Sequence, residues 1–152
     1  MDDDPVARLK TPQDCEQFAI NVEERGKPEL AIRARRRAVE LRAAEHGASS
    51  AAEREALEAV YAYERVLSTK RGKKVHASRT WQMIERRGII PAVEHVVTRS
   101  AESTGYTELI KMGMQDKSFE AVVLRHPEVF SSDAVRRSFG ARQNWTTSAL
   151  QK

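Results

Sequence analysis

The sequence holds a single cysteine, Cys15, so no disulfide can close within the chain and the count gives no reason to expect an oxidising compartment. Aromatic residues make up 6%, few for the strands that favour them. Glycine (7) and proline (5) are also sparse. No run approaches the ~18 consecutive apolar residues of a membrane span, so no membrane partner is expected. The opening MDDDPVARLK lacks the basic start and apolar run of a secretory signal. A soluble, cytoplasmic protein is expected, and the composition suggests a bacterial one.

Motifs that carry chemistry are missing too. The histidines, His46, His76, His95 and His126, have none of the spacings that place two imidazoles on one metal from a single helix turn. Glu94 and His95 are adjacent and point in different directions on a helix, so they form no local acid–base pair. Phosphate-loop glycines and a nucleophile-elbow serine are both absent. Cys15 falls in the first turn of an expected helix, where the dipole lowers a thiol's pKa. The same position serves an apolar face with Phe18, Ala19 and Val22, and a buried, unreactive cysteine is the expectation. No catalytic residue, metal or cofactor is predicted, and an enzyme is the least favoured class.

What is present is charge and helix-forming residues. Charged residues are 32% of the 152, against roughly 25% in an average globular protein, and Ala, Arg and Glu are all good helix formers. A chain of this length suits one domain that buries about 70% of its unfolded surface. The punctuation predicts an all-α fold: an N-terminal bundle of three longer helices followed by about five short ones in a single compact domain.

Residues 1–10 read as a disordered acidic tail, because three consecutive Asp repel one another. The helical domain spans 11–140. Its three-helix part, 11–70, starts with Thr11 as N-cap and Pro12 at the first helical position. Gly26 and Lys27-Pro28 then close an antiparallel hairpin. The second helix carries IRARRRAVELR, with Leu30, Ala34, Ala38 and Leu41 on one stripe. Arg33, Arg36 and Arg37 lie on a neighbouring arc with Glu29 and Glu40 among them, which predicts a salt-bridge-laced surface. Ser50 with Glu53 fits a capping box for the third helix, where Tyr61 reads as packing.

Beyond a basic loop, 71–78, the short-helix part (79–140) begins with a helix capped by Ser78. Further helices follow over Pro91–Arg99, Glu102–Met112 and Ser118–His126, and the last ends near Phe139. Residues 141–152 read as a flexible tail.

The charge is local. Residues 65–87, RVLSTKRGKKVHASRTWQMIERR, hold eight cations against Glu85, a charge of +7 in a chain whose net charge is +4. Lys70, Arg71, Lys73 and Lys74 surround Gly72, where flexible side chains can follow a phosphate backbone. Arg79, Gln82 and Arg86 share one side of the next helix and could meet groove edges, with Trp81 and Ile84 on another. Those seven residues are the candidate site, and the leading function is a small non-enzymatic protein contacting DNA or RNA phosphates.

The run RTWQMIERRGIIPAVEHVVTR resembles a helix-turn-helix in outline, but Glu94 occupies the standard apolar position and the second helix is too apolar to read a groove. The alternative is a protein-interaction or regulatory module gripping an acidic surface of a larger partner. That reading expects an exposed apolar patch near the loop involving Trp81, Met83 or the Met112 and Met114 pair.

Overall fold

A computed structural model describes residues 4–99 and 106–150, with side chains to residue 142. Among the described residues there are eight α-helices and no strand. Helix α1 (Pro12–Glu24) opens as its sequence dictates: the Asp14 N–H donates to Thr11 Oγ1 at 3.0 Å, with Pro12 in the first turn. Helix α2 (Pro28–His46) returns along it. Ala19, Ala31 and Ala34 are buried between the two, and side chains this small let the helices pack closely.

Helix α3 (Ala51–Arg71) is the longest and serves as the spine. Its start divides the expected capping box between two serines. Ser50 Oγ accepts the Glu53 N–H at 3.2 Å, and Glu53 reaches back to the N–H of Ser49 at 2.9 Å. One side of α3 places Ala62 and Val66 against Val39 of α2, Leu109 and Met114. Another sets Ala56 and Ala59 against Val93, Val97, Val122 and Val123. Between them Val60 meets Ile84 and Ala92. The helix stops at Gly72, whose φ of +68° is left-handed backbone that glycine adopts without a Cβ penalty.

After that stop the chain forms α4 (Ser78–Arg87) and α5 (Ile89–Arg99). It continues through α6 (Tyr106–Lys111), α7 (Phe119–Arg125) and α8 (Ser132–Leu150). Ala92, Val93 and Val97 of α5 are buried, as its apolar sequence requires. The first residues of the expected Glu102–Met112 helix lie outside the described residues. Ser118 caps α7, accepting the Ala121 N–H at 3.1 Å. Ser131 does the same for Ala134 ahead of α8.

Two boundaries differ from the sequence reading. Residues 4–10 do not hang free: Val6 is buried, Leu9 packs on the α1–α2 hairpin, and the Leu9 carbonyl accepts from Arg37 Nε at 2.8 Å. Asp4 pairs with Arg33, so a carboxylate expected to repel its neighbours meets an α2 cation instead. Helix α8 runs on to Leu150 rather than ending near Phe139. Expected docking by Trp145 lies outside the described side chains.

Candidate nucleic-acid interface

The basic loop is anchored by a carboxylate. Glu64, buried in the fourth turn of α3, turns one oxygen towards the loop. Its Oε2 accepts the Ala77 backbone N–H at 2.7 Å and the Trp81 indole N–H at 2.7 Å, and His76 Nδ1 lies 2.9 Å away. Ser78, expected to cap α4, makes no such bond. Ala77 stands at the cap instead and has no side-chain oxygen to accept from the first turn, while its own N–H is held by Glu64. A buried carboxylate is costly to leave unbonded, and here backbone and indole donors satisfy it. Trp81 is further held by ring contacts to Tyr61 at 5.0 Å and to His46 and His76 at 5.3 and 6.0 Å. A second tether lies two residues earlier, where the Val75 N–H donates to Ser68 Oγ at 2.9 Å.

Pinned in this way, the loop leaves its cations outward. Lys70, Arg71, Lys73, Lys74, Arg79, Gln82 and Arg86 are all exposed. Among the described residues, Arg71, Lys73, Lys74, Arg79 and Arg86 have no carboxylate partner. Arg65, the first cation of the segment, differs: its Nη1 donates to Glu16 Oε2 at 3.0 Å. The structure divides five of the seven candidates between two settings. Lys73 and Lys74 border a cleft of about 610 Å³. Arg79, Gln82 and Arg86 lie on the solvent side of α4, away from the cleft lining, while Ile84 is buried on the other side.

The cleft runs between α1, the C-terminal halves of α2 and α3, and the loop. Glu16 enters from α1, and its carboxylate lies 3.0 Å from Arg65 and 3.8 Å from Arg42. Ile20, Tyr61 and Val75 supply apolar wall. Tyr61 is both half-buried core and cleft lining, and burial, aided by nearby Glu64, pushes its phenol above the ordinary value. The residues that the sequence did not single out, Glu16, Arg42, Ile20 and Glu64, come from three different helices. Within any one helix their spacing carries no signal. Only the turns at Gly26 and Gly47 bring them together.

Other expected groups fall as follows. Cys15 is fully buried, and burial raises its thiol pKa, which opposes thiolate formation at pH 7. Met114 is fully buried in the core and Met112 packs beside it. Trp81 is enclosed by its ring contacts, and Met83 packs with the Val60–Ile84–Ala92 cluster. Of the apolar residues expected near the loop, Met114 is buried, while Trp81, Met83 and Met112 are half-buried. Among the described residues no three His, Cys, Asp or Glu side chains are placed to hold a metal ion, and no helix is long and apolar enough to cross a membrane.

Comparison with known proteins gives no match: no family model, curated protein or solved structure is similar to this chain.

Proposed function

We propose that this chain is a small non-enzymatic nucleic-acid-binding protein of the cytoplasm that contacts DNA or RNA phosphates through the segment from the end of α3 to the end of α4. One observation carries the reading: the cations Arg71, Lys73, Lys74, Arg79 and Arg86 are exposed and unpaired among the described residues, although the protein has many carboxylates and most of its other arginines have found one. Lone surface cations are ordinary. Five in sixteen residues, on a helix and a preceding loop tethered by Ser68 and Glu64, form a preorganised electropositive strip.

The strip suits a phosphate backbone better than a base-reading head. Lysines and arginines on a loop supply point charges without fixed planar geometry, and Gln82 is the one neutral amide on the solvent side of α4 among the candidates. Such contacts position a nucleic acid without selecting sequence. Binding of labelled single-stranded and duplex oligonucleotides, measured by anisotropy at several salt concentrations, tests this. The expected logarithmic salt slope is about −3 to −5, falling by about one for each contacting cation replaced by Gln. Absence of salt-sensitive binding to every oligonucleotide overturns the reading.

A further inference from the structure

The cleft beside the loop has a chemistry of its own. Its charged lining consists of four cations, Arg42, Arg65, Lys73 and Lys74, and two carboxylates, Glu16 and Glu64. The carboxylates are already committed. Glu16 lies against both arginines, and Glu64 takes the Ala77 and Trp81 donors. Neither is positioned by these contacts to neutralise Lys73 or Lys74, so the cleft carries two uncompensated positive charges at its rim. Arg65 also has unused capacity, since its Nε is buried without an acceptor. Buried donors are rarely left so in a settled structure.

The rest of the lining includes residues of different character. Ile20 is a large apolar side chain left 46% exposed, and it lines the cleft together with Tyr61 and Val75. A cleft lined by an exposed isoleucine, a tyrosine and two unpaired ammonium groups suits a ligand that is flat and weakly polar at one end and doubly anionic at the other. The cleft volume of about 610 Å³ falls in the range of small-molecule sites. It is far too small for a duplex.

We infer that the cleft takes a nucleotide bearing a phosphate monoester, with Lys73 and Lys74 on the phosphate and Ile20 and Tyr61 against the base. A monoester carries close to two negative charges at neutral pH, whereas each internal phosphodiester of a strand carries one. Two unpaired lysines at one rim match the former. The inference rests on the nucleic-acid reading above and deepens it: the exposed strip follows the backbone of a strand, and the cleft receives its phosphorylated end. A free nucleoside monophosphate has the same chemistry, and the experiment separates the two sources.

The test is a competition series with the full chain at fixed moderate salt. The probes are labelled 12-nucleotide single strands with a 5′-phosphate, a 3′-phosphate or hydroxyl ends, and the competitors are AMP and inorganic phosphate. One phosphorylated strand should bind about tenfold or more tightly than its hydroxyl counterpart, as two charge-assisted hydrogen bonds imply. AMP should compete better than inorganic phosphate. The double variant Lys73→Gln/Lys74→Gln should remove the preference for the phosphorylated end. The variant Ile20→Ser should narrow the gap between AMP and inorganic phosphate without changing the salt slope for hydroxyl-ended strands. Circular dichroism of both variants verifies that they are folded. Equal, salt-sensitive binding of all three strands overturns the inference and leaves the nucleic-acid reading standing. Binding of AMP with no binding of any strand overturns that reading and the strand-end assignment together. No binding of any probe overturns both as well.

Discussion

Two stretches of this chain are almost equally rich in arginine and lysine, yet the fold treats them in opposite ways. In α2 the cations are absorbed. Arg33 pairs with Asp4, Arg35 with Glu23 at 2.8 Å, and Arg36 with Asp116 through two bonds at 2.6 and 2.7 Å. Arg37 caps the Leu9 carbonyl, and Arg42 lies near Glu16. Along 71–87 they are left alone. Local composition is not the cause, because α2 has only a few acids of its own among its arginines and most of its partners come from elsewhere in the chain. The difference is position. Helix α2 lies between α1, the N-terminal segment and the turn at residues 113–117, so carboxylates reach it from three sides. The loop and α4 lie at an edge, and among the described residues the one carboxylate that reaches them from another helix, Glu64, is occupied by the Ala77 and Trp81 donors. A cationic surface can therefore arise where the fold withholds acids, without any unusual density of bases.

The largest effect is expected from breaking the anchor that keeps the two regions distinct. In Glu64→Leu the Ala77 N–H and the Trp81 indole N–H both lose their acceptor. Unsatisfied buried donors cost about 1–3 kcal/mol each, so destabilisation of about 2–4 kcal/mol is expected in denaturant unfolding. Glu64→Gln keeps an accepting oxygen and should lose about half as much. Equal stability of the Leu variant and the parent would show that the loop does not depend on this contact.

Next in size is the absorbed side of the comparison. Arg36→Ala removes the paired bonds to Asp116 and a third to the Gly113 carbonyl at 3.1 Å. Gly113 has left-handed backbone (φ +67°), and a Cβ there would meet Ile32 Cγ2 at 2.8 Å, so the turn that Arg36 grips has little freedom to readjust. The pair is partly solvated, which limits the loss to about 1–2 kcal/mol. It should also depend on pH. Hydrogen bonding and charge from Arg36 hold the Asp116 carboxyl below the ordinary aspartate value. The contribution is complete above that ordinary value and is lost as pH falls through the depressed one. The parent should therefore lose stability on acidification more steeply than Arg36→Ala, in unfolding curves collected between neutral and strongly acidic pH.

The same comparison shows what could be read from the residues. Caps and stops act over three or four residues, so Thr11-Pro12, Ser50-Glu53 and Gly72 marked their helices correctly, and the all-α architecture followed. The docking of residues 4–10 was hidden because its causes, Val6 against the hairpin and Asp4 against Arg33, join distant parts of the chain; the three acids were the only local signal. Helix α8 outran its expected end because a polar sequence without proline or a stopping glycine has nothing to interrupt it locally, and Gly140 costs a helix only about 1 kcal/mol. At the site, the segment and its exposed cations were legible, since charge runs are seldom buried. The cleft was not. Whether Arg65 is free or held by Glu16 depends on a residue 49 positions earlier, and Tyr61, which reads as packing, both packs and lines the opening.

Glu120 is the mirror image of the free cations and gives a smaller effect. It is a carboxylate buried in the first turn of α7, where desolvation raises its pKa, only partly offset by a hydrogen bond to its own backbone N–H. A carboxyl whose folded value lies above its unfolded one binds protons more tightly when folded. Stability therefore falls as pH rises from the ordinary glutamate value through the raised one. Glu120→Gln should be more stable than the parent by about 1 kcal/mol at pH 7, with the advantage shrinking towards pH 4. A gain that did not change with pH would point to packing rather than charge.

The smallest effect on stability is expected where the proposal lies. Replacing Lys73, Lys74, Arg79 or Arg86 with Gln should change unfolding free energy by no more than about 0.5 kcal/mol, because an exposed side chain without an ion-pair partner has little to lose. A slight gain is the expected direction, since removing one of several like charges relieves their mutual repulsion. The same substitutions should each reduce the salt slope of oligonucleotide binding by about one, whereas Arg36→Ala should leave that slope unchanged. This double dissociation, stability without binding in α2 and binding without stability in the loop and α4, separates cations held by the fold from cations left for a ligand. If the loop substitutions instead cost as much stability as Arg36→Ala, those lysines and arginines already have partners within the protein, and the electropositive strip has no charge to spare.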